Sequence, residues 1–224
     1  MKRLSKKKTK DLESTAPYYT LVIIGENEVG KTQFLRKLNG EEFEEKYYPT
    51  FGVDFRIKTL KKENAQILND IQMIDVAGEK DDIHKEIIKD IIDNANAFLV
   101  VFDLSKEESV IKAVDIKKEY ESKITKSYLE KKWYLIGNKK DLEKPGNKIP
   151  TQYKEKFDYY FDISSKTSKS SEFDKIFNKI IYDLNKSHKE YKHFINEPEK
   201  ENEPFDIDFL EAHGKIFDEE CEIF

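Results

Sequence analysis

Six short runs of apolar residues recur along the chain, each of the length of a β-strand. Most are separated by stretches in which apolar residues recur at intervals of three and four, the spacing of one helix face. Strands that alternate with helices predict an α/β fold, a mostly parallel six-stranded sheet with helices on both faces. The predicted strands are residues 19–24, 53–60, 67–74, 97–102, 133–136 and 159–163.

The last helical pattern is the clearest, and we interpret its apolar face as core that packs on the sheet. The second and third strands are separated only by residues 61–66, which predicts an antiparallel hairpin. The apolar positions of the last helix are Phe173, Ile176, Phe177, Ile180, Ile181 and Leu184.

A glycine-rich segment lies between the first strand and a predicted helix at 33–38. Its glycines let the backbone turn tightly, so that N–H groups point inward at a phosphate. The helix aims its positive end at the same point. We expect Lys31 to reach the outer phosphates and Thr32 to bind Mg²⁺. The candidate phosphate-binding residues are Gly25, Glu28, Val29, Gly30, Lys31, Thr32 and Gln33.

A second segment, Asp75-Val-Ala-Gly78, follows the third strand. We call the glycine-rich segment, residues 25–33, the phosphate loop. A carboxylate at a strand end that faces this loop suits Mg²⁺, usually through a coordinated water. The backbone N–H of Gly78 is free to meet a terminal phosphate. Asp75 is therefore a candidate metal ligand and Gly78 a candidate nucleotide contact.

A third segment, Asn138-Lys-Lys-Asp141, and a fourth, Ser164-Ser-Lys166, predict recognition of guanine. The Asp141 carboxylate can accept two hydrogen bonds from the ring N–H and amino group of guanine, a donor pair that adenine lacks. The Asn138 amide would face the other edge of the base, and the stem of Lys139 would lie along its plane. The remaining candidate base contacts are Leu142, Ser164, Ser165 and Lys166.

With these four segments in this order, the chain resembles the Ras superfamily of small GTPases over about residues 17–187, which implies a P-loop NTPase small G domain. Residues 47–55 resemble the first switch of the Rab branch. The resemblance implies that Thr50 closes over Mg²⁺ and the terminal phosphate, that Tyr47 covers the phosphates, and that Phe43 stacks on guanine. Ras-like and Ran-like readings stay open, whereas the short connection from 141 to 164 disfavours Rho.

The family resemblance implies a monomeric switch that cycles between GTP and GDP with Mg²⁺. Effectors, an exchange factor and an activating protein would bind through residues 47–56 and 76–90, in vesicle trafficking or signalling. Water would attack the terminal phosphoryl group, with Lys31, Thr50 and Glu79 as the candidate catalytic residues.

Two residues depart from the family pattern at the hydrolysis machinery. Glu79 stands where the family has glutamine, and a carboxylate accepts hydrogen bonds without donating any. Asn27 stands where the family has a small residue and would crowd an activating arginine. Slow hydrolysis is one expectation, and a GTP-bound scaffold without turnover is the alternative. An ATP-using enzyme is a third reading, which Asn138 and Asp141 oppose.

Charge is unevenly distributed along the 224 residues. Residues 1–10 hold six Lys or Arg and no acid, whereas residues 188–224 hold four basic and twelve acidic residues, a net charge of −8. We predict a disordered basic arm at 1–16, the domain at 17–187 and an acidic tail at 188–224. Three alternatives stay open for the arm: a solvated segment without a partner, a segment attracted to anionic lipid, or a nuclear localisation signal. With neither an aromatic platform nor a recognition helix, nucleic-acid binding is not expected.

The chain ends in Cys221-Glu-Ile-Phe224, which fits a prenylation signal except for the acidic second position. A lone cysteine without a role is the alternative, and the preceding acidic residues would repel anionic lipid. No apolar run is long enough for a membrane span or a signal peptide. We therefore expect a cytoplasmic protein that cycles to the cytoplasmic face of a membrane through a lipid on Cys221.

Overall fold

The computed structural model describes residues 18–46, 50, 52–61, 67–76, 85–125, 130–143 and 148–195. It contains the six predicted strands, whose bounds differ from the prediction by at most two residues at either end. The elements are β1 Tyr18–Ile24, α1 Lys31–Leu38, β2 Val53–Lys61, β3 Ile67–Val76, α2 Lys85–Asn94, β4 Ala97–Asp103, α3 Glu107–Lys123, β5 Lys132–Asn138, a 3₁₀ turn Lys140–Leu142, α4 Thr151–Lys154, β6 Tyr159–Asp162 and α5 Ser170–Ile195.

The strands form one sheet in the order β2-β3-β1-β4-β5-β6. β2 and β3 pair antiparallel, which confirms the predicted hairpin, and every other pairing is parallel. The α/β fold class predicted from the alternation of elements is therefore confirmed. In such a sheet the carboxyl ends of the parallel strands lie along one edge, which is where these folds bind ligands.

Both faces of the sheet are buried, because alternate residues of each strand point to opposite sides. Leu21 and Ile23 of β1 join a core layer with α1 and α5. Val22 and Ile24 join a second layer with α2 and α3. This two-sided burial explains why the central strands are almost continuously apolar.

Helix α5 packs on the sheet through all six of its predicted apolar positions, each of which is buried. Two polar contacts add to this packing: the Tyr134 hydroxyl donates to Asp183 Oδ2 at 2.9 Å, and the Tyr19 hydroxyl donates to Asn185 Oδ1 at 2.9 Å. A buried hydroxyl needs such a partner, so these contacts also fix the helix along its axis.

The helix continues past residue 187, where we placed the end of the domain. It ends at Ile195, eight residues inside the segment 188–224 that we assigned to the acidic tail. No Pro or Gly occurs between 170 and 195 to stop it, and charge alone does not end a helix. The rest of the tail, the basic arm and the hairpin residues 62–66 lie outside the described residues.

None of the helices described here is long and apolar enough to cross a bilayer.

We expect Ile180→Ala to lower the free energy of unfolding by about 2–5 kcal/mol, because its side chain is fully buried between α5 and the sheet. Urea denaturation measures this loss. Ile111→Ala is the matched control: that side chain is 45% exposed, and its loss should cost under about 0.5 kcal/mol. Equal losses in the two variants would contradict the assignment of the core.

Candidate functional site

The phosphate loop approaches its neighbours too closely for either of its two glycines, Gly25 and Gly30, to be replaced. A Cβ on Gly30 would lie 2.5 Å from the Asn138 side-chain nitrogen, and one on Gly25 would lie 2.3 Å from the Val101 carbonyl oxygen. Gly30 also adopts φ +91°, which disfavours any other residue. Glu28 has φ +63° without being glycine, at a cost of about 1–2 kcal/mol.

Lys31 lies inside this loop. It is the first residue of α1, and its side chain is buried, with Nζ donating to the carbonyls of Gly25 at 3.1 Å and Glu26 at 2.8 Å. The helix begins two residues earlier than predicted, so the N–H groups of its first turn also point into the loop. The ammonium and the helix end therefore converge on the place expected for phosphate.

Three oxygen-bearing side chains meet next to the loop. The Thr32 hydroxyl donates to Asp75 Oδ2 at 2.5 Å and lies 2.8 Å from the Thr50 hydroxyl. Thr50 in turn donates to the same carboxylate oxygen at 3.4 Å. These are the three side chains that the sequence analysis named as Mg²⁺ ligands, drawn from α1, the first switch and β3.

This trio fits a divalent cation. Asp75 is fully buried, and its second oxygen, Oδ1, has no hydrogen-bond partner among the described residues. An orphaned buried carboxylate oxygen beside two hydroxyls is a hard, all-oxygen donor set of the kind that Mg²⁺ prefers. The described residues hold no group of three or more His, Cys, Asp or Glu suited to a metal ion.

Burial disfavours the charged forms of both ionisable groups at this point. It lowers the pKa of Lys31, against the attraction of Asp75 and Glu26. It raises the pKa of Asp75, against the Thr32 hydrogen bond and the charge of Lys31. An anion beside the ammonium and a cation beside the carboxylate would each favour the charged form. The site is thus electrostatically matched to a phosphate with a bound metal ion.

Asn138 joins two of the predicted segments. Its side-chain nitrogen donates to the carbonyl of Val29 in the phosphate loop at 3.0 Å. Its oxygen accepts the Ser165 backbone N–H at 3.0 Å and the Ser165 hydroxyl at 2.9 Å. The amide that we expected to face the base is therefore engaged by the two neighbouring loops and holds them together.

Asp141 and Lys139 lie on the surface of the same loop cluster. Asp141 is exposed and accepts the Ser164 hydroxyl at 2.5 Å, while Leu142 is 57% exposed. The Ser164 hydroxyl also accepts the backbone N–H groups of Lys166 and Thr167 at 3.2 and 3.0 Å. This hydroxyl thus shapes the loop after β6, residues 164–167, which we call the closing loop, and it orients the Asp141 carboxylate.

Phe43 lies in a segment that is fastened at several points. The guanidinium of Arg56 on β2 pairs with Glu41 at 2.7 Å, and that of Arg36 on α1 pairs with Glu44 at 2.9 Å. Across the site, Lys166 pairs with Glu45 at 3.1 Å. Phe43 itself is half-buried.

Four candidate residues lie outside the described part of the chain: Tyr47, Gly78, Glu79 and Cys221. Of the two departures from the family pattern, only Asn27 is described. It is exposed in the phosphate loop, next to the left-handed Glu28.

Asp103 is a further acid at this edge of the sheet that was not predicted from the sequence. Its carboxylate is almost fully buried and pairs with Lys139 Nζ at 2.9 Å. Burial would raise the pKa of Asp103, but the hydrogen bonds from Ser105 and the charge of Lys139 outweigh this effect and lower it. Its position directly after an apolar strand was the available signal, the same one that drew attention to Asp75.

Comparison with known proteins agrees with this geometry. The family model described as "Ras family" matches residues 20–186. Bovine "Ras-related protein Rab-3C" is 31% identical over 125 residues, 56% of this chain and 52% of that protein. Rat "Ras-related protein Rab-3B" is 30% identical over 134 residues, 60% of this chain and 58% of that protein.

A third relative is a human protein named "EF-hand calcium-binding domain-containing protein 4B". It is 29% identical over 127 residues, 56% of this chain but only 16% of that protein. The aligned part of this chain spans little more than half the length of the two Rab-3 relatives and a small part of the third.

We expect Asn138→Ala to lower the free energy of unfolding by about 1–3 kcal/mol, because it leaves the Ser165 N–H and the Val29 carbonyl without this partner. Chemical denaturation of the purified protein measures the change. Asn94→Ala, at the exposed end of α2, is the control and should stay within about 0.5 kcal/mol of the unmodified chain. A loss no larger than that of the control would show that Asn138 does not hold the loops together.

Proposed function

Because the chain belongs to the Ras family, in its Rab-like branch, we propose that it is a guanine-nucleotide switch that binds GDP and GTP together with Mg²⁺. The observation that carries the proposal is the convergence of Thr32, Thr50 and Asp75 beside the buried Lys31. These groups come from separate elements and suit a phosphate with its metal ion.

The nucleotide would be held by two sets of groups. The backbone N–H groups of residues 25–33 and the Lys31 ammonium would surround the phosphates. Asp141 would accept the two donors of guanine, and Lys139 and Phe43 would lie against its ring faces. Support for the second set is that the Ser164 hydroxyl already orients the Asp141 carboxylate.

Thr32, Thr50 and Asp75 would hold Mg²⁺, Asp75 most simply through a coordinated water. When bound, the ion would neutralise charge that develops on the phosphates. The chain's own part in hydrolysis would be to place the terminal phosphoryl group between Lys31 and the switch residues. Glu79 would then orient the attacking water as a hydrogen-bond acceptor.

The switch itself would depend on Thr50. Its hydroxyl touches both Thr32 and Asp75, so its place depends on what occupies the cation position. Thr50 lies just before β2, where Phe55 and Ile57 are 50% and 66% exposed. Movement of Thr50 would therefore alter a surface with exposed apolar side chains, which suits an effector interface at residues 47–56. Effectors and regulators would also use residues 76–90.

Membrane attachment is a further part of the proposal. A prenyl group on Cys221 would anchor the chain reversibly, and the basic arm 1–16 would supply the second, electrostatic signal that one lipid requires. In this account the protein is cytoplasmic, moves to the cytoplasmic face of a membrane and acts in vesicle trafficking or signalling as a monomer. The G domain would extend over about residues 17–187, with helix α5 continuing to Ile195.

A second candidate is a GTP-bound scaffold with no turnover. It is favoured by Asn27, which is exposed in the phosphate loop and carries a side chain where an activating arginine would enter. Glu79, which stands where the family has a water-orienting glutamine, also favours the scaffold.

Single-turnover hydrolysis of bound GTP separates the two candidates. We expect slow release of phosphate from the unmodified protein, because Glu79 can accept but not donate a hydrogen bond. Glu79→Gln combined with Asn27→Gly should accelerate it by about tenfold or more, equivalent to about 1.4 kcal/mol of barrier. Glu155→Gln, an exposed exchange on the other side of the domain, is the control and should change nothing.

Two results would reject parts of this account. No phosphate release from either the unmodified or the doubly substituted protein would favour the scaffold. Release from the unmodified protein as fast as from the double variant would show that neither Asn27 nor Glu79 limits hydrolysis.

A further inference from the structure

The loop after β5, residues 139–142, would read the guanine base. Two neighbouring lysines of this loop are held by aspartates from two different strands. Lys139 Nζ lies 2.9 Å from Asp103 Oδ2, at the end of β4. Lys140 Nζ lies 2.7 Å from Asp162 Oδ2, at the end of β6. Since β5 pairs with both strands, the loop that follows β5 is fastened on both of its sides.

The two pairs differ in burial. The Asp162 side chain is 42% exposed, so water screens its attraction to Lys140 and the pair contributes little. The Asp103 side chain is only 3% exposed. A buried carboxylate needs full compensation, and losing a cationic partner there is far more costly than losing one at an exposed carboxylate.

Asp103 is itself rigidly placed. Its Oδ1 accepts the Ser105 backbone N–H at 2.9 Å and the Ser105 hydroxyl at 2.6 Å, and its own N–H donates to the Ser109 hydroxyl at 3.0 Å. Both carboxylate oxygens are therefore engaged, one by the turn after β4 and the other by Lys139. The acid can act as a fixed anchor for the ammonium.

Lys139 needs such an anchor, because its backbone lies in the left-handed region at φ +61°. This conformation is unfavourable for a side chain with a Cβ. It starts the 3₁₀ turn Lys140–Leu142, in which the Leu142 N–H donates to the Lys139 carbonyl at 2.8 Å. That turn carries Asp141, so the direction of the Asp141 carboxylate depends on the conformation of Lys139.

We propose that Asp103 is a positioning residue for the guanine base. By holding the Lys139 ammonium it fixes the lysine stem against the base and keeps the left-handed turn that aims Asp141. It acts through Lys139 and does not touch the nucleotide. This inference rests on the proposed function, since it assumes that the loop after β5 reads guanine.

The test compares two exchanges of the same kind in the full-length protein. Asp103→Asn keeps the size and the acceptor for Ser105 but removes the charge that holds Lys139. Asp162→Asn does the same to the exposed pair one residue away. Release of a fluorescent GDP analogue is followed in excess unlabelled GDP, and thermal unfolding checks that each variant is folded. We expect Asp103→Asn to release GDP about tenfold faster or more, and Asp162→Asn to stay within about twofold.

A second measurement separates positioning from general loosening. Inosine diphosphate lacks the amino group whose hydrogen bond Asp141 would accept. The unmodified protein should therefore bind GDP more tightly than inosine diphosphate. If Asp103 aims Asp141, this preference shrinks in Asp103→Asn. A general loosening of the loop would weaken the binding of both nucleotides equally, and this result would overturn the proposal. In a Lys139→Met background, Asp103→Asn should add almost nothing, whereas a full additional effect would also overturn it.

The outcomes for the proposal and for the proposed function are distinct. If the unmodified protein binds no guanine nucleotide, both fail. If it binds GDP and Asp103→Asn releases it at the unmodified rate, only the role of Asp103 is rejected. Should Asp103→Asn not fold, Asp103→Glu keeps the charge but moves it by one methylene. Faster GDP release and a smaller preference over inosine diphosphate are then expected, and unchanged values would overturn the role.

Discussion

The buried amide of Asn138 is the contact on which the rest of the candidate site depends. It lies at the end of β5, the neighbour of the edge strand β6, and joins the phosphate loop after β1 to the closing loop after β6. Because the approach is so close, Gly30 has no room for a Cβ. Parallel pairing brings these strand ends to one edge, and a single side chain then sets the spacing between the phosphate and base halves of the site.

Charge is arranged around this scaffold in pairs whose burial matches their task. Lys31 and Asp75 are buried with their charged forms disfavoured, which suits them to a phosphate and a metal ion. Asp103 is buried but compensated by Lys139 and Ser105, so it serves as an anchor. The pair between Lys166 and Glu45 is exposed and screened by water, so breaking it costs little free energy.

The fold could be predicted, because strands buried on both faces leave uninterrupted apolar runs. The sequence also singled out Thr32 and Asp75, which the structure brings into contact. The partners of Asn138 could not, since Val29 lies 109 positions away along the chain and no local pattern encodes that contact. Asp103 also follows an apolar strand, but it was missed because no motif such as the Asp-x-x-Gly of Asp75 accompanies it. Helix α5 continues to Ile195, inside the segment that we assigned to the acidic tail, because no Pro or Gly stops it and charge alone does not end a helix.

The most direct measurement is the identity of the nucleotide that copurifies with the protein. The chain is purified from its own cells in the presence of Mg²⁺ and denatured, and the released nucleotide is separated by anion-exchange chromatography and quantified against protein. The account predicts close to one equivalent of guanine nucleotide, GDP or GTP. Adenine nucleotide in its place, or protein that carries no nucleotide and binds none when GDP and GTP are added, would contradict it.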